Sequence, residues 1–408
     1  MSSVTGAMTP LAAALEQILA DVAAVAGTEI VPLEAALGRV LAADLMAGID
    51  VPPWDNSAMD GYAVRAADTR PEPAVLRVAQ RIVAGDVGCE LLPGTAARIF
   101  TGAPLPPGAD AVIMQEDVRL VQDRVHCRVA VEPGDNVRAG GQDIAAGSRA
   151  LTAGRRLQPQ DLGVAASLGL AALRVRRRLR VGILSTGDEL QDAGAPLRAG
   201  CIYNSNRPML LGLLQVLGVE CRDYGNVRDG FDATRQALAV AASQCDLLIS
   251  TGGVSVGEED HVRAAVDDLG ELRVWKLAIK PGKPLAYGRV AGTPLFGLPG
   301  NPAAVFVTFG LVVKPYLYAL AGIAEAPHTR VRARARFDWI APGRRLEYLR
   351  ATLCRGRDGE LEVDVYDNQS SGVLSLISRA DCLVEMPLGQ RCRAGDWLSV
   401  LLIKDWVY

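Results

Sequence analysis

The feature that most constrains the fold is an alternation of strand-like and helix-like segments between residues 179 and 322. The strand-like segments are LRVGIL (179–184), VECRDYGNV (219–227), CDLLIS (245–250), LRVWKLAI (272–279) and TPLFGL (293–298). Amphipathic stretches such as FDATRQALAVAAS (231–243) lie between them, and a long apolar helix is predicted from about Pro302. Strands that alternate with helices of this length are typical of a parallel sheet covered on both faces. We therefore predict a multidomain α/β protein whose doubly wound, mostly parallel sheet occupies residues 179–327.

The remaining segments differ from this region in their patterns. Residues 9–27 show a helical apolar face that begins after Thr9 and ends at Gly27. Short apolar runs separated by glycine and proline turns are typical of β structure. The predicted regions around the sheet are an N-terminal helix and linker (1–44), an inserted β domain (45–146), a connector (147–178) and a C-terminal β barrel (328–408).

Charge and cysteine content exclude several classes of protein. The 43 Lys and Arg residues against 46 Asp and Glu residues give a net charge of −3, whereas a nucleic-acid-binding protein normally has a basic excess. The eight cysteines include no CxxC pair, which favours a reducing cytoplasm over a disulfide framework or a zinc site. The first residues lack the basic region of a signal peptide, so we predict a cytoplasmic protein. From the charge balance we predict that it binds no nucleic acid.

One uncharged stretch, Val290–Val313, is long enough to resemble a membrane span. It contains Pro294, Pro299 and Pro302, which would leave backbone groups without partners in hydrocarbon. We therefore predict a buried strand, loop and helix rather than a membrane span.

Five polar, glycine-rich loops leave the predicted strands. They are STGDEL (185–190), NVRD (226–229), STGGVSVGEED (250–260), KPGKP (280–284) and GLPGNP (297–302). Ligands of open parallel sheets bind beyond the carboxyl ends of the strands, so these loops are expected to meet at one edge. Backbone amides in such loops can bind phosphate oxygens, which makes Thr186, Gly252, Gly253, Ser255 and Gly257 candidate binding residues. Positive charge for an anion would come from Lys276, Lys280 and Lys283.

Carboxylates follow three of the strands, at Glu189, Asp229 and Asp260. Acids beside a phosphate repel it unless a cation lies between them, and Mg²⁺ is commonly held by one or two carboxylates plus phosphate oxygens. We predict that these three residues hold Mg²⁺. Glu258 and Glu259 are better explained as favourable charges in the first turn of a helix.

Several motifs together resemble the molybdopterin molybdenumtransferase family, the molybdenum insertases related to the E domain of gephyrin. The motifs are PPWDNSAMDGYAVR (52–65), IFTGAPLP (99–106), STGDEL, TGGVSVGEED, WKLAIKPGKPLAYG (275–288) and GLPGNPAA (297–304). They occur in the family's order and extend over nearly the whole chain.

The resemblance implies an activity that the residues alone do not. It implies insertion of molybdenum from molybdate into adenylylated molybdopterin, with release of AMP and a requirement for Mg²⁺. It also implies an elongated homodimer with shared active sites, and it suggests the upstream adenylyltransferase and molybdoenzyme maturation proteins as partners.

Site residues can be transferred by motif from the family to this sequence. The resemblance assigns catalytic roles to Asp60 and Thr101 in the β domain, to Asp143 in GQDI, and to Glu189, Asp229, Asp260, Lys276 and Lys280 in the α/β region. It assigns substrate binding to Pro299, Gly300, Asn301 and Pro302, and to Arg350 and Ser371, which resemble positions that could face molybdate.

The sequence departs from the family pattern at three positions. Ala304 stands where the family often has a serine, which removes a hydroxyl that could contact the oxyanion. Trp54 replaces a common Phe, with an expected effect on packing only, and His261 replaces a common Tyr and is expected to be an ordinary helix residue.

Two alternative functions remain at this point. A molybdopterin adenylyltransferase would resemble the α/β region alone and would leave DNSAMDGY unexplained. A non-catalytic scaffold of the same fold would be expected to lack the site acids, which this chain retains.

Overall fold

The computed structural model describes residues 8–20, 22–252, 261–324, 328–341 and 343–407. The first helix, α1, extends from Leu11 to Leu19, so the predicted helix over 9–27 is too long. Thr9 does not cap the helix, because its backbone pairs with the α/β region: its N–H donates to the Lys276 carbonyl at 2.8 Å. Beyond α1, the N–H of Val25 donates to the Leu320 carbonyl at 2.9 Å. Tertiary backbone hydrogen bonds before and after α1 therefore limit the helix to Leu11–Leu19.

A six-stranded sheet forms the centre of the inserted β region, in the order β7-β4-β6-β5-β9-β8. The strands of the N-terminal part are β1 (Thr28–Pro32), β2 (Leu45–Met46), β3 (Asn56–Ser57), β4 (Gly61–Val64), β5 (Ala74–Ile82), β6 (Thr95–Ile99), β7 (Ala111–Met114), β8 (Val118–Val121), β9 (Arg124–Cys127), β10 (Val137–Arg138) and β11 (Arg149–Leu151). Alternating burial along β5 shows one covered face and one exposed face, as the sequence pattern predicted.

The connector packs with the N-terminal segment into one small unit. It contains α2 (Pro159–Ser167) and β12 (Ala172–Arg176). Strand β1 pairs with β12 and β2 pairs with β11, both antiparallel. Val31, Leu41, Leu157 and Val175 lie in its shared core. The sequence treated the two segments as separate regions because this pairing joins residues more than a hundred positions apart.

The central sheet of the α/β region has the order β16-β13-β17-β21-β20-β18. The strands of this region are β13 (Arg180–Thr186), β14 (Leu190–Gln191), β15 (Ile202–Tyr203), β16 (Glu220–Val227), β17 (Leu247–Thr251), β18 (Gly270–Lys276), β19 (Ile279–Lys280), β20 (Pro284–Val290) and β21 (Thr293–Leu298). The four strands from β16 to β21 are parallel, and β20 is antiparallel to both of its neighbours. The sheet is thus mostly parallel, as predicted.

Strand prediction was wrong at one place in this sheet. LRVWKLAI was expected to be a single strand, but it divides into β18 and β19, and β19 joins the C-terminal barrel. The segment PLAYGRV forms the additional strand β20. A hairpin of this kind carries no helix between its strands, so the strand–helix alternation could not indicate it.

Helices cover both faces of the sheet. They are α3 (Asn206–Val216), α4 (Phe231–Gln244), α5 (His261–Leu269), α6 (Pro302–Thr308) and α7 (Lys314–Ala321). Alternate strand residues enter two cores: Ile183 and Ile249 pack with α3, α6 and α7, whereas Leu184 and Leu248 pack with α4 and α5. This two-sided packing confirms the doubly wound arrangement.

The apolar helical segment 302–321 is a core element. It contains α6, a π-helical turn at Phe309–Val313, and α7. Its length and composition would suffice to cross a membrane, but 89% of its most apolar window is buried inside the protein. The prediction of a buried strand, loop and helix for Val290–Val313 is therefore confirmed.

A closed barrel forms the C-terminal part. Its strands are β22 (Arg330–Ala335), β23 (Leu346–Arg355), β24 (Leu361–Val365), β25 (Cys382–Met386) and β26 (Trp397–Leu402). They pair in the spatial order β23-β24-β22-β26-β25, and pairing of β23 with β25 closes the ring. The barrel is confirmed, although two short helices, α8 (Ser375–Arg379) and α9 (Lys404–Val407), were not expected. Strand β19 pairs with β23 on the outside, which brings the barrel against the edge of the α/β sheet.

Candidate active site

A cleft of about 590 Å³ opens where the carboxyl edge of the sheet meets the barrel. Strand β18 is antiparallel to β20, which is antiparallel to β21, so the turn between β18 and β20 lies at the same edge as the loops after β17 and β21. The lining residues from this edge are Gly252, Lys280, Pro281, Gly282, Lys283, Pro284, Pro299, Gly300, Asn301 and Ala304. The barrel side contributes Arg345, Gln369, Ser370 and Ser371. The predicted meeting of the five loops at one sheet edge is confirmed by the parallel strands, and three of the five line this cleft.

The turn before α6 is fixed from both sides of the cleft. Asn301 is the N-cap residue of α6, and its Nδ2 donates to the Ser371 hydroxyl at 3.0 Å. The backbone N–H of Ala303 donates to the Ser371 carbonyl at 3.1 Å. From α3, Asn206 Nδ2 donates to the Gly300 carbonyl at 2.7 Å. The Pro299–Pro302 turn and Ser371 therefore form one rigid wall, and Pro302 is the first residue of its helix.

Lys280 is held by a buried carboxylate from the barrel. Pairing of β19 with β23 places Lys280 opposite Glu347, and the lysine Nζ donates to Glu347 Oε1 at 2.9 Å. The Glu347 side chain is 4% exposed and the Lys280 side chain is 42% exposed. Arg345 Nη1 donates to the Ile279 carbonyl at 3.0 Å on the same wall. The lysine is thus anchored on one side and open to the cleft on the other.

A close backbone approach requires glycine at position 252. Gly252 has φ of 86°, and a Cβ atom there would lie 2.5 Å from the Thr186 carbonyl oxygen. Thr186 is buried below it, and its hydroxyl has no hydrogen-bond partner among the described residues. The predicted binding residues Gly253, Ser255 and Gly257 lie outside the described residues, as does Asp260.

Two acids form a reciprocal pair at the ends of β13 and β16. The Asp188 N–H donates to Asp229 Oδ2 at 3.1 Å, and the Asp229 N–H donates to Asp188 Oδ1 at 3.2 Å. Glu189, which the sequence favoured, is exposed beside them. Within the described ranges, no group of three or more His, Cys, Asp or Glu side chains is arranged to hold a metal ion.

Three predicted site residues, Asp60, Thr101 and Asp143, belong to the inserted β region. The Thr101 N–H and hydroxyl both donate to Asp60 Oδ1 at 2.8 Å. These bonds, together with the charge of Arg98, hold the pKa of Asp60 below its ordinary value. Asp143 lies at a shallow depression with Pro52 and Arg138. None of Asp60, Thr101 and Asp143 is among the described residues that line the cleft.

Two further predicted residues do not line the cleft. Arg350 is completely buried, its Nη2 donates to the Asn368 carbonyl at 3.1 Å, and burial lowers the pKa of its guanidinium. Its backbone exchanges hydrogen bonds with the Gln369 side chain at 2.9 and 3.0 Å. Arg350 therefore bonds to the loop that carries Ser371 without lining the cleft, and its Nε and Nη1 have no hydrogen-bond partner among the described residues. Lys276 is exposed at the end of β18.

Sequence reasoning missed several residues of the cleft and its support: Asp188, Arg345, Glu347, Gln369 and Ser370. Asp188 adjoins the chosen Glu189, and the adjacency of two acids after a strand was the available signal. Nothing in the sequence indicated Glu347, because its role depends on pairing between β19 and β23.

Comparison with known proteins gives matches along the whole chain. The matching family descriptions are "MoeA N-terminal region (domain I and II)" at residues 9–169, "Probable molybdopterin binding domain" at 182–319 and "MoeA C-terminal region (domain IV)" at 332–403. The molybdopterin molybdenumtransferase of Haemophilus influenzae is 40% identical over 362 residues, which cover 88% of this chain and 89% of that protein. The enzyme of the same name from Nostoc sp. is 38% identical over 374 residues, covering 89% and 86%.

A solved structure agrees with these matches. The crystal structure of the molybdopterin biosynthesis MoeA protein from Pyrococcus horikoshii has a TM-score of 0.84 and 32% sequence identity, and the match covers 97% of this chain and 100% of that chain. The sequence motifs, the fold and these relatives agree, and the chain belongs to the molybdopterin molybdenumtransferase family.

Proposed function

We propose that this protein inserts molybdenum from molybdate into adenylylated molybdopterin and releases AMP. The relatives described above are named molybdopterin molybdenumtransferase, which supports this reaction. The observation that carries the proposal is the cleft between the sheet edge and the barrel, where Lys280, Lys283 and Arg345 surround an opening lined by serine hydroxyls. Release of AMP that depends on molybdate tests the proposal directly.

The cleft is suited to an oxyanion because its cations are fixed before a ligand binds. Lys280 is held by Glu347, and Arg345 is held by the Ile279 carbonyl. Ser371 is tied to Asn301, so the hydroxyl wall is also ordered. Preorganised donors bind a charged group with little loss of conformational freedom. Ala304 lies on the same lining, so the hydroxyl of a serine there would have been in reach of the cleft.

The Asp188–Asp229 pair fits a magnesium ion held jointly with phosphate. Each carboxylate uses one oxygen for the reciprocal bond, which leaves Asp188 Oδ2 and Asp229 Oδ1. Both side chains are exposed, so ligand oxygens can approach them. Mg²⁺ is usually bound by one or two carboxylates with the rest of its shell from water and phosphate. Bound there, the ion would neutralise the pyrophosphate of the pterin nucleotide, with Glu189 and Asp260 as further candidate ligands.

The β region would complete the site from a second subunit. Asp60, Thr101 and Asp143 lie apart from the cleft lining of their own chain. Residues 46–59 expose large apolar side chains at Met46, Ile49, Trp54 and Met59, with exposed fractions between 43% and 55%. Exposed apolar groups of this size are typical of interaction surfaces. We therefore keep the proposal of a homodimer with shared sites, acting in the cytoplasm after an adenylyltransferase.

A Lys280→Ala variant is expected to need more molybdate. Loss of one hydrogen bond to a charged group costs about 1.5–3 kcal/mol, which corresponds to roughly a 10–100-fold rise in the half-saturating molybdate concentration. Binding of the pterin nucleotide should change much less. Initial rates of AMP release across a molybdate series would measure the effect.

Lys404→Ala is the matched control, since Lys404 is exposed on α9 and is not among the cleft residues. It should behave like the wild type. A Lys280→Ala variant that loses nucleotide affinity but keeps its molybdate response would show that the lysine binds the other substrate.

A further inference from the structure

A second cavity, remote from the residues of the cleft, is lined by an unusual number of arginines. It has a volume of about 40 Å³ and lies where the connector packs against the ends of α3 and α7. Its arginines are Arg39, Arg156, Arg176, Arg177 and Arg178. No Asp or Glu is among the described residues that line it. A space of this size holds about three water molecules or one small ion.

Two of these arginines are neutralised by acids from outside the cavity. Arg39 pairs with Glu29, and Arg177 forms two bonds of 2.7 Å to Asp246. The other three, Arg156, Arg176 and Arg178, have no carboxylate partner among the described residues. Among the described residues, these three positive charges therefore lie together without a carboxylate counter-charge.

Two buried cationic groups lie next to the cavity. Arg176 Nε is buried and has no hydrogen-bond partner in the described part of the chain. Lys314, at the start of α7, is completely buried and donates to the Asp405 carbonyl. Burial and the charge of Arg156 together lower the pKa of the Lys314 ammonium to about 8, although the charge of Asp405 acts to raise it. A buried donor without a partner, such as Arg176 Nε, is a group that a bound ion or water would satisfy.

Helix ends explain only part of this arrangement. Arg156 Nη2 donates to the Val216 carbonyl at the end of α3 at 2.8 Å, and Arg176 lies against Gly322 after the end of α7. Each helix C-terminus carries about half a negative charge, so the two ends together offset about one positive charge. The helix ends therefore offset only part of the charge of the three guanidinium groups.

We propose that this cavity binds one small inorganic oxyanion of the phosphate or sulfate type, between Arg156, Arg176 and Arg178. Guanidinium groups match the geometry of such oxyanions through paired N–H donors. The anion would tie the connector to the far ends of α3 and of the helical segment 302–321. Both helices begin at the cleft, where Asn206 bonds to Gly300. The proposal does not depend on the reaction assigned to the cleft.

Calorimetric titration with inorganic phosphate tests the site, in the wild type and in a Lys280→Ala background that weakens the cleft. We expect one saturable site that persists in the Lys280→Ala protein. Arg156→Gln and Arg176→Gln should each weaken it about tenfold or more, the usual effect of losing a charge-assisted hydrogen bond. AMP should not compete at this site, because a nucleoside exceeds a cavity of about 40 Å³.

Arg174→Gln is the matched control, because Arg174 is exposed on the same strand, β12, and does not line the cavity. Arg178→Gln decides the question if a more buried variant fails to fold, since Arg178 is exposed. Circular dichroism confirms folding in each case. The proposal is overturned if the Lys280→Ala protein shows no saturable phosphate binding, or if Arg156→Gln, Arg178→Gln and Arg174→Gln bind equally well.

Discussion

An Asp229→Asn variant is expected to release AMP about 10²–10³ times more slowly than the wild type, the loss typical of removing one electrostatic group from an active site. Asparagine retains an oxygen that can accept the bond from the Asp188 N–H, so the reciprocal pairing should survive. What disappears is the negative charge that we propose for Mg²⁺ binding. Initial rates across a Mg²⁺ series should show a higher Mg²⁺ requirement together with the lower rate.

Asp232→Asn is the control for this prediction, because Asp232 is an exposed acid in the first turn of α4, three residues away. It should leave the rate unchanged. The same exchange at Asp260, which lies between β17 and α5 in the sequence, is expected to cause a comparable loss. Near-normal turnover of Asp229→Asn at every Mg²⁺ concentration would contradict the proposed metal role of the acid pair.

A random mixture of dimers of two inactive variants is expected to recover about a quarter of the wild-type activity, and the purified mixed dimers about half. The variants are Asp60→Ala, in the β region, and Asp229→Ala, at the sheet edge. If the β region of one subunit completes the cleft of the other, a mixed dimer has one site with both lesions and one with neither. Random mixing makes about half of the dimers mixed, and half of their sites are intact. Co-expression with two different tags isolates the mixed dimers for assay.

A site formed within a single chain predicts a different result. If each site were formed within a single chain, every site in the mixture would carry one lesion and no activity would return. Absence of recovery in purified mixed dimers would therefore exclude the shared site. It would leave the proposed roles of Lys280 and the acid pair unaffected.

Local sequence patterns predicted the fold where each element depends on its own residues. The alternation of apolar strands and amphipathic helices indicated the parallel core, and the proline and glycine content of Val290–Val313 indicated a buried segment. The predictions were wrong where the bounds of an element depend on pairing with backbone that is far away in the sequence. Thr9 pairs with residues near 277, which shortens α1, and β19 leaves its neighbour β18 to join the barrel. Such pairings depend on tertiary contacts that a local pattern does not contain.

Local sequence patterns likewise predicted some residues of the candidate site and missed those whose position depends on tertiary pairing. Glycine-rich loops after strands indicated Gly252, Lys280 and residues 299–301, all of which line the cleft. Glu347 and Arg345 escaped notice because their position depends on the barrel pairing with β19. Arg350 was expected at the opening because of its motif, but the structure buries it beneath the loop that it supports. Burial depends on packing, which the motif does not show.

The measurement that tests the proposed function most directly is AMP release from adenylylated molybdopterin, with and without molybdate. With Mg²⁺ present, we expect AMP to appear only when molybdate is added, with one molybdenum atom bound to the pterin product for each AMP released. ATP should be neither required nor consumed. Release of AMP at the same rate without molybdate, no release under any condition, or ATP-dependent formation of the adenylylated pterin would each contradict the assignment as a molybdenum insertase.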